Sequence, residues 1–176
     1  MAQASFRRKR NPLLWAALVV VGAYVLLVLC LMWWWDIEPK AFDPQQAARQ
    51  ETASAAQAQV TGAATTATLI ETVDTLLDKR GGYLSNDKLP PGVLMDNVPN
   101  WEFGALTASR DLVRAMRNDF SRSQSQSTEN PDLAAADPLL NSPNDRWLLP
   151  SSESQFGKGA SHLRAYLGDL VKDDGK

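Results

Sequence analysis

The chain has 176 residues, with 18 basic and 20 acidic side chains, a net charge of −2 and one cysteine, Cys30. That length allows one modest domain with linkers. A single cysteine excludes a disulfide framework and a Cys-based zinc site. The charge average hides an asymmetry: Arg7, Arg8, Lys9 and Arg10 are the only charges before residue 36, so the remainder holds 14 basic against 20 acidic residues, net −6. A net acidic body argues against a nucleic-acid partner, whose phosphates must be neutralised by cations. Because Cys30 lies in the apolar run, everything after it lacks a thiol, which suits an oxidising compartment.

Residues 11–35 carry no charge, a run of 25. At about 1.5 Å rise per residue, a helix of that length exceeds the roughly 30 Å hydrocarbon core of a bilayer. Residues 13–32 are mainly Leu, Val and Ala. Trp33, Trp34 and Trp35 sit where such a helix leaves the hydrocarbon, with Trp15 near its other end, and Asp36 and Glu38 stop the span. Indole rings favour that interface because they join an apolar body to an N–H donor. The basic cluster at 7–10 predicts a cytoplasmic N-terminus, which puts residue 36 onward across the membrane. A cleavable signal peptide needs a shorter core and small residues at its cleavage site, whereas this run ends Leu31-Met32-Trp33-Trp34-Trp35. A lipoprotein signal needs small residues before the cysteine, yet Val28-Leu29 precede Cys30. The expectation is an uncleaved anchor at 11–35, with a cytoplasmic tail at 1–10. No Asn-x-Ser/Thr sequon follows it, which favours a bacterial inner membrane and a periplasmic body over the glycosylating secretory pathway.

Residues 36–68 are rich in Ala, Gln and Thr. Asp43-Pro44 is suited to cap a helix, with Pro at its first position and Gln46 in a box-like arrangement. Large apolar residues are nearly missing between Pro44 and Ala67, so this segment is expected to be a helical or semi-flexible stalk. A coiled coil would need apolar heptad positions that are not there.

The pattern then changes. Leu69, Ile70, Val73, Leu76 and Leu77 share one helical face, Lys79 and Arg80 fall in the last turn, and Gly81-Gly82 stop the helix. Residues 83–99 read as an irregular loop broken by Pro90-Pro91-Gly92 and Pro99. A second helix is predicted after Asn100, with Trp101, Phe103, Leu106, Val113, Met116 and Phe120 on its apolar side. Residues 121–130 form a polar loop, Asn130-Pro131 open a short helix through Ala136, and Asp137-Pro138 close it. A Pro/Asn-rich loop then holds Trp147-Leu148-Leu149. The last helix covers 152–172 with Phe156, Ala160, Leu163, Leu167 and Leu170 on one face, weakened by Gly157 and Gly159. No stretch alternates with period two. The predicted fold is all-α: one transmembrane helix, a stalk, and a helical domain at 69–176 of about three amphipathic helices, with loop aromatics packing between them.

Few residues carry chemistry. His162 is the only histidine and has no second metal ligand of its type, so a structural or solvent-facing role is expected. Glu102 lies between Trp101 and Phe103; apolar surroundings would raise its pKa and make it a candidate acid. The competing reading turns Glu102 away from its neighbours at a helix N-terminus that favours carboxylates in any case. Arg110, Arg114 and Arg117 form a basic stripe, extended by Arg122, that suits an anionic polymer, a lipid headgroup or an acidic partner. The plainer reading is a solvated face balanced by Asp111 and Asp119. Nucleophile elbows, phosphate loops and calcium loops are missing, so no cofactor or metal is expected.

Several blocks suggest a family. They are Gly81-Gly82-Tyr83-Leu84-Ser85-Asn86-Asp87, Pro90-Pro91-Gly92-Val93-Leu94-Met95-Asp96-Asn97, Asn100-Trp101-Glu102-Phe103-Gly104, the run from Arg117 to Ser125, and that from Trp147 to Ser154. The chain resembles a family of uncharacterised proteobacterial inner-membrane proteins over the anchor and roughly residues 69–170. The resemblance implies an inner-membrane setting and assigns no activity or catalytic residue. Members tend to run longer, which implies a core that is either truncated here or completed by a partner. The expected function is a membrane-anchored periplasmic scaffold or docking module without catalysis, with the bilayer and another envelope protein or a second copy as partners. The alternative is a tethered enzyme acting on a cell-wall or other periplasmic polymer, with Glu102 as acid and the Arg110 stripe holding an anion.

Overall fold

A computed structural model describes residues 11–120 and 129–173, with backbone alone at 120 and 173. The basic cluster at 7–10, most of the polar loop including Arg122, and the last three residues lie outside the described residues. Among the described residues the chain is all-α, with no strand. Six helices follow one another: α1 (Pro12–Trp35), α2 (Pro44–Glu51), α3 (Ala63–Asp78), α4 (Asn97–Ala115), α5 (Pro131–Leu140) and α6 (Ser152–Asp173).

Helix α1 is long and apolar enough to cross a membrane, a description that both an anchor and a signal sequence meet. Asn11 caps it by accepting from the Leu13 N–H at 3.2 Å, with Pro12 in the first position, where its missing N–H costs no bond. Val28 is its only buried residue.

The segment expected to be a stalk is folded into the bundle instead. Asp43 caps α2 by accepting from the Gln46 N–H at 2.8 Å, as its position predicts. Ala47, Ala48, Ala58 and Ala63 then join the main apolar core. The correction has a physical reason: alanine offers little area to bury, yet its small side chain lets one helix backbone approach another. Arg164 of α6 closes the arrangement by pairing with both Glu51 of α2 and Asp74 of α3.

Helices α3 and α6 run antiparallel at the centre. At one end Gly157 lies beside Leu77, and at the other Gly62 lies beside Leu170. Leu69, Ile70, Val73 and Leu76 of α3 meet Phe156, Leu163 and Leu167 of α6, all at most 1% exposed. Burying each such side chain is worth about 1.5–3 kcal/mol. Gly159 has a clear purpose: a Cβ there would come within 3.0 Å of Leu140, so glycine lets α5 lie against α6.

Helix α5 begins as predicted, with Asn130 Oδ1 accepting from the N–H groups of Asp132 and Leu133. It does not stop at Asp137-Pro138; Pro138 stands inside it and the helix reaches Leu140. Asn141 steadies its end by donating to the carbonyl and carboxylate of Asp137, and buried Leu140 ties it to the core. Helix α4 begins at Asn97, four residues before the expected start at Trp101, because Pro99 falls in its first turn, where proline is tolerated. It ends in a π-helical turn, Met116–Phe120.

Candidate functional site

One of the functional candidates, Glu102, lies near where α1 meets the bundle. Lys79 caps the end of α3. Gly81 and Gly82 follow with φ of 82° and 71°, left-handed values that favour glycine, and reverse the chain toward α4. The last residue of α1, Trp35, packs on this turn so closely that a Cβ at Gly81 would lie 2.6 Å from its ring. Residues 36–42 then run along the end of α3. Between them and the start of α4 lies a cleft of about 620 Å³, walled by Trp35, Ile37, Phe42, Thr75, Lys79, Val98 and Trp101.

Beneath the cleft Glu102 is fully buried. One carboxylate oxygen accepts from the Leu84 N–H at 2.8 Å and from the Lys79 ammonium. The other accepts from the Ser85 N–H at 2.8 Å and the Ser85 hydroxyl at 2.5 Å. Four donors thus converge on one carboxylate. Lys79 donates further to the carbonyls of Leu76 and Gly82. Burial lowers the pKa of Lys79, with the hydrogen bond and charge of Glu102 opposing the effect. The arrangement is a clamp: it fixes the turn at 81–85 against α4 and leaves no oxygen of Glu102 facing open solvent. Glu102 does turn away from Trp101 and Phe103, but into the core. Those two aromatics, expected on the apolar face, are 41% and 55% exposed.

Charge and burial extend the clamp outward. Burial raises the pKa of Asp87, and the charges of Glu102 and Glu153 act in the same direction. Tyr83 stacks edge-on against Phe156, ring centroids 5.5 Å apart, and its buried hydroxyl has no hydrogen-bond partner among the described residues. Its pKa is pushed up to about 12, chiefly by burial, with Ser85 and Asn144 beside it opposing only in part. Asn86 donates to the Arg146 carbonyl at 2.8 Å, tying this turn to the loop before α6. The Ser152 hydroxyl holds that loop, accepting from the Arg146 N–H and donating to the Pro143 carbonyl.

The arginine stripe joins α4 to α5. Arg110 donates to the carbonyls of Leu140 and Ser142, at 2.8 and 2.7 Å. Arg117 pairs with Asp137 at 2.7 Å and with Glu129. Arg114 donates to Asn141 at 3.0 Å and lies 3.9 Å from Asp111, so one of the two predicted aspartates does balance the row. The stripe is therefore mainly an inter-helix brace. His162 faces Asp132 with Nδ1 at 2.9 Å, half-exposed. No group of three or more metal-ligating side chains gathers among the described residues.

Sequence reasoning missed Lys79 and Ser85 as partners of Glu102. The available signal was phase: Glu102, Leu106, Ser109, Val113 and Met116 recur at helical spacing, and all five are buried.

An apolar N-terminal helix fastened to a small helical bundle defines the class. Residues 8–176 match the model of a bacterial family described as an uncharacterized protein conserved in bacteria (DUF2333). The chain belongs to that family. No curated protein and no solved structure matches it.

Proposed function

We propose that the protein is a membrane-anchored docking or scaffold module of the bacterial envelope, without catalytic activity. Helix α1 spans the inner membrane uncleaved, the basic residues at 7–10 stay in the cytoplasm, and the bundle stands in the periplasm. The observation that supports this best is the joint between α1 and the bundle, where Trp35 packs on the turn at Gly81. A signal sequence destined for removal gains nothing from packing into the domain it delivers. A permanent anchor does, because the joint holds a docking surface at a set height and angle.

The groups that suggested catalysis work against the tethered-enzyme reading. Glu102 is closed off by four donors, and Arg110 and Arg117 are engaged with α5. What α4 leaves exposed includes two large aromatic side chains, Trp101 and Phe103, among polar Asn100, Thr107, Asp111 and Arg114. Trp101 lies on the cleft side and Phe103 on the other side of the buried Glu102 row, and in this reading the occupant of the Phe103 side is another envelope protein.

Site-specific photocrosslinking in native membranes tests it. A benzophenone amino acid at Phe103 should give one discrete adduct with an envelope protein, which the same group at exposed Lys158 on α6 does not give. Identical patterns at both sites, or none at Phe103, would contradict the docking role.

A further inference from the structure

The bundle has two ends, and its exposed apolar loops gather at one of them. The antiparallel packing of α3 and α6 puts the end of α3 beside the start of α6, with Leu77 next to Gly157. Trp35 packs at that same end, as do the first residues of α4, since Asn97, Val98 and Trp101 line the cleft with it. This is therefore the end that faces the exit of α1.

Two loops project apolar side chains there. In the first, Leu89, Val93 and Leu94 are 76%, 52% and 58% exposed; in the second, Trp147, Leu148 and Leu149 are 61%, 65% and 90% exposed. The bond from Asn86 to the Arg146 carbonyl ties the two loops together. The first loop also reaches α1 itself: Leu94 and Met95 share a small cavity with Met32 and Trp33. Leu94 thus stands level with the last turn of the apolar helix, at the depth where indole rings meet lipid headgroups.

Side chains of this size are costly in water, and an end-on cluster continuous with an apolar span is placed for lipid. Exposed Lys88 and Arg146 immediately precede the two apolar runs, positioned to reach outward to headgroups along their stems. Exposed Asp96 and Asp145 offset their charge, so the attraction is apolar rather than electrostatic.

We propose that this end of the bundle is seated on the bilayer, with both apolar loops in the interfacial layer beside α1. The inference rests on the reading of α1 as a membrane span. The bundle then has two kinds of attachment to one membrane: a covalent span and a lipid-facing sole that fixes its tilt.

The test uses the full chain with Cys30→Ser, reconstituted at high dilution into phosphatidylethanolamine–phosphatidylglycerol vesicles. A polarity-sensitive fluorophore is placed singly at Leu94→Cys, Leu148→Cys, Val25→Cys within α1, and Ser161→Cys on the exposed side of α6. Quenching by brominated lipid should be strongest at position 25, and at 94 and 148 at least about twofold above that at 161. Quenching at 94 and 148 no greater than at 161, with position 25 strongly quenched, overturns the seating and leaves the span intact. Absence of quenching at position 25 overturns the span, and the seating with it.

Discussion

Two regions reverse what composition suggests. Residues 36–68 are small and polar, yet Ala47, Ala48, Ala58 and Ala63 are at most 3% exposed. The loops at 89–94 and 147–149 hold Leu, Val and Trp, yet more than half of each of the six apolar side chains there remains exposed. Burial here follows position rather than hydrophobicity. The alanines are inside because they lie in segments that pack against the core, and the large side chains are outside because they occupy the end of the bundle facing α1. The fully buried charge of Glu102 is the extreme case of the same lesson.

The largest effect is expected at Glu102. Glu102→Leu strands the Lys79 ammonium and two backbone N–H groups, and should cost about 3–5 kcal/mol of unfolding free energy in chemical denaturation. A loss below about 1 kcal/mol would mean the clamp is not what joins α3 to α4. Next comes pH. The Tyr83 pKa is raised above its ordinary value, so its contribution is complete below pH 10 and declines as pH rises toward about 12. Alkaline titration should therefore remove about 2 kcal/mol across that window. Tyr83→Phe keeps the contact with Phe156, lacks the ionising hydroxyl, and should flatten this part of the profile.

The remaining two changes sharpen the contrast directly. Ala48→Leu adds apolar surface but overfills a closed contact, and should destabilise by about 1–3 kcal/mol. Leu149→Ser removes apolar surface from a side chain 90% exposed and should shift stability in detergent by less than about 0.5 kcal/mol. If Ala48→Leu proves neutral and Leu149→Ser costly, the assignment of inside and outside is reversed.

Much of the fold was legible where local chemistry decides it. The uncharged run of α1, the caps at Asp43 and Asn130, and the glycine stop at Gly81-Gly82 all depend on a few adjacent residues. Features set by tertiary packing were not. Alanine burial in α2 depends on how near α3 lies, and the passage of α5 through Pro138 depends on Leu140 reaching the core. The candidate site was legible only in part. Glu102 stood out for its aromatic neighbours, which point elsewhere, while its partners Lys79 and Ser85 are 23 and 17 residues away in sequence. The arginine stripe was visible as a row, but the carbonyls of Leu140 and Ser142 that engage Arg110 belong to a helix end expected to have closed earlier.

Cysteine accessibility in cells tests most directly whether α1 is a permanent span fastened to a periplasmic bundle. In a Cys30→Ser background, Ser161→Cys should react with a membrane-impermeant maleimide once the outer membrane alone is opened. The labelled chain should keep its full length and stay with the membrane after alkaline extraction. Labelling only after the inner membrane is broken, or a labelled chain shortened by the loss of α1, would contradict the account.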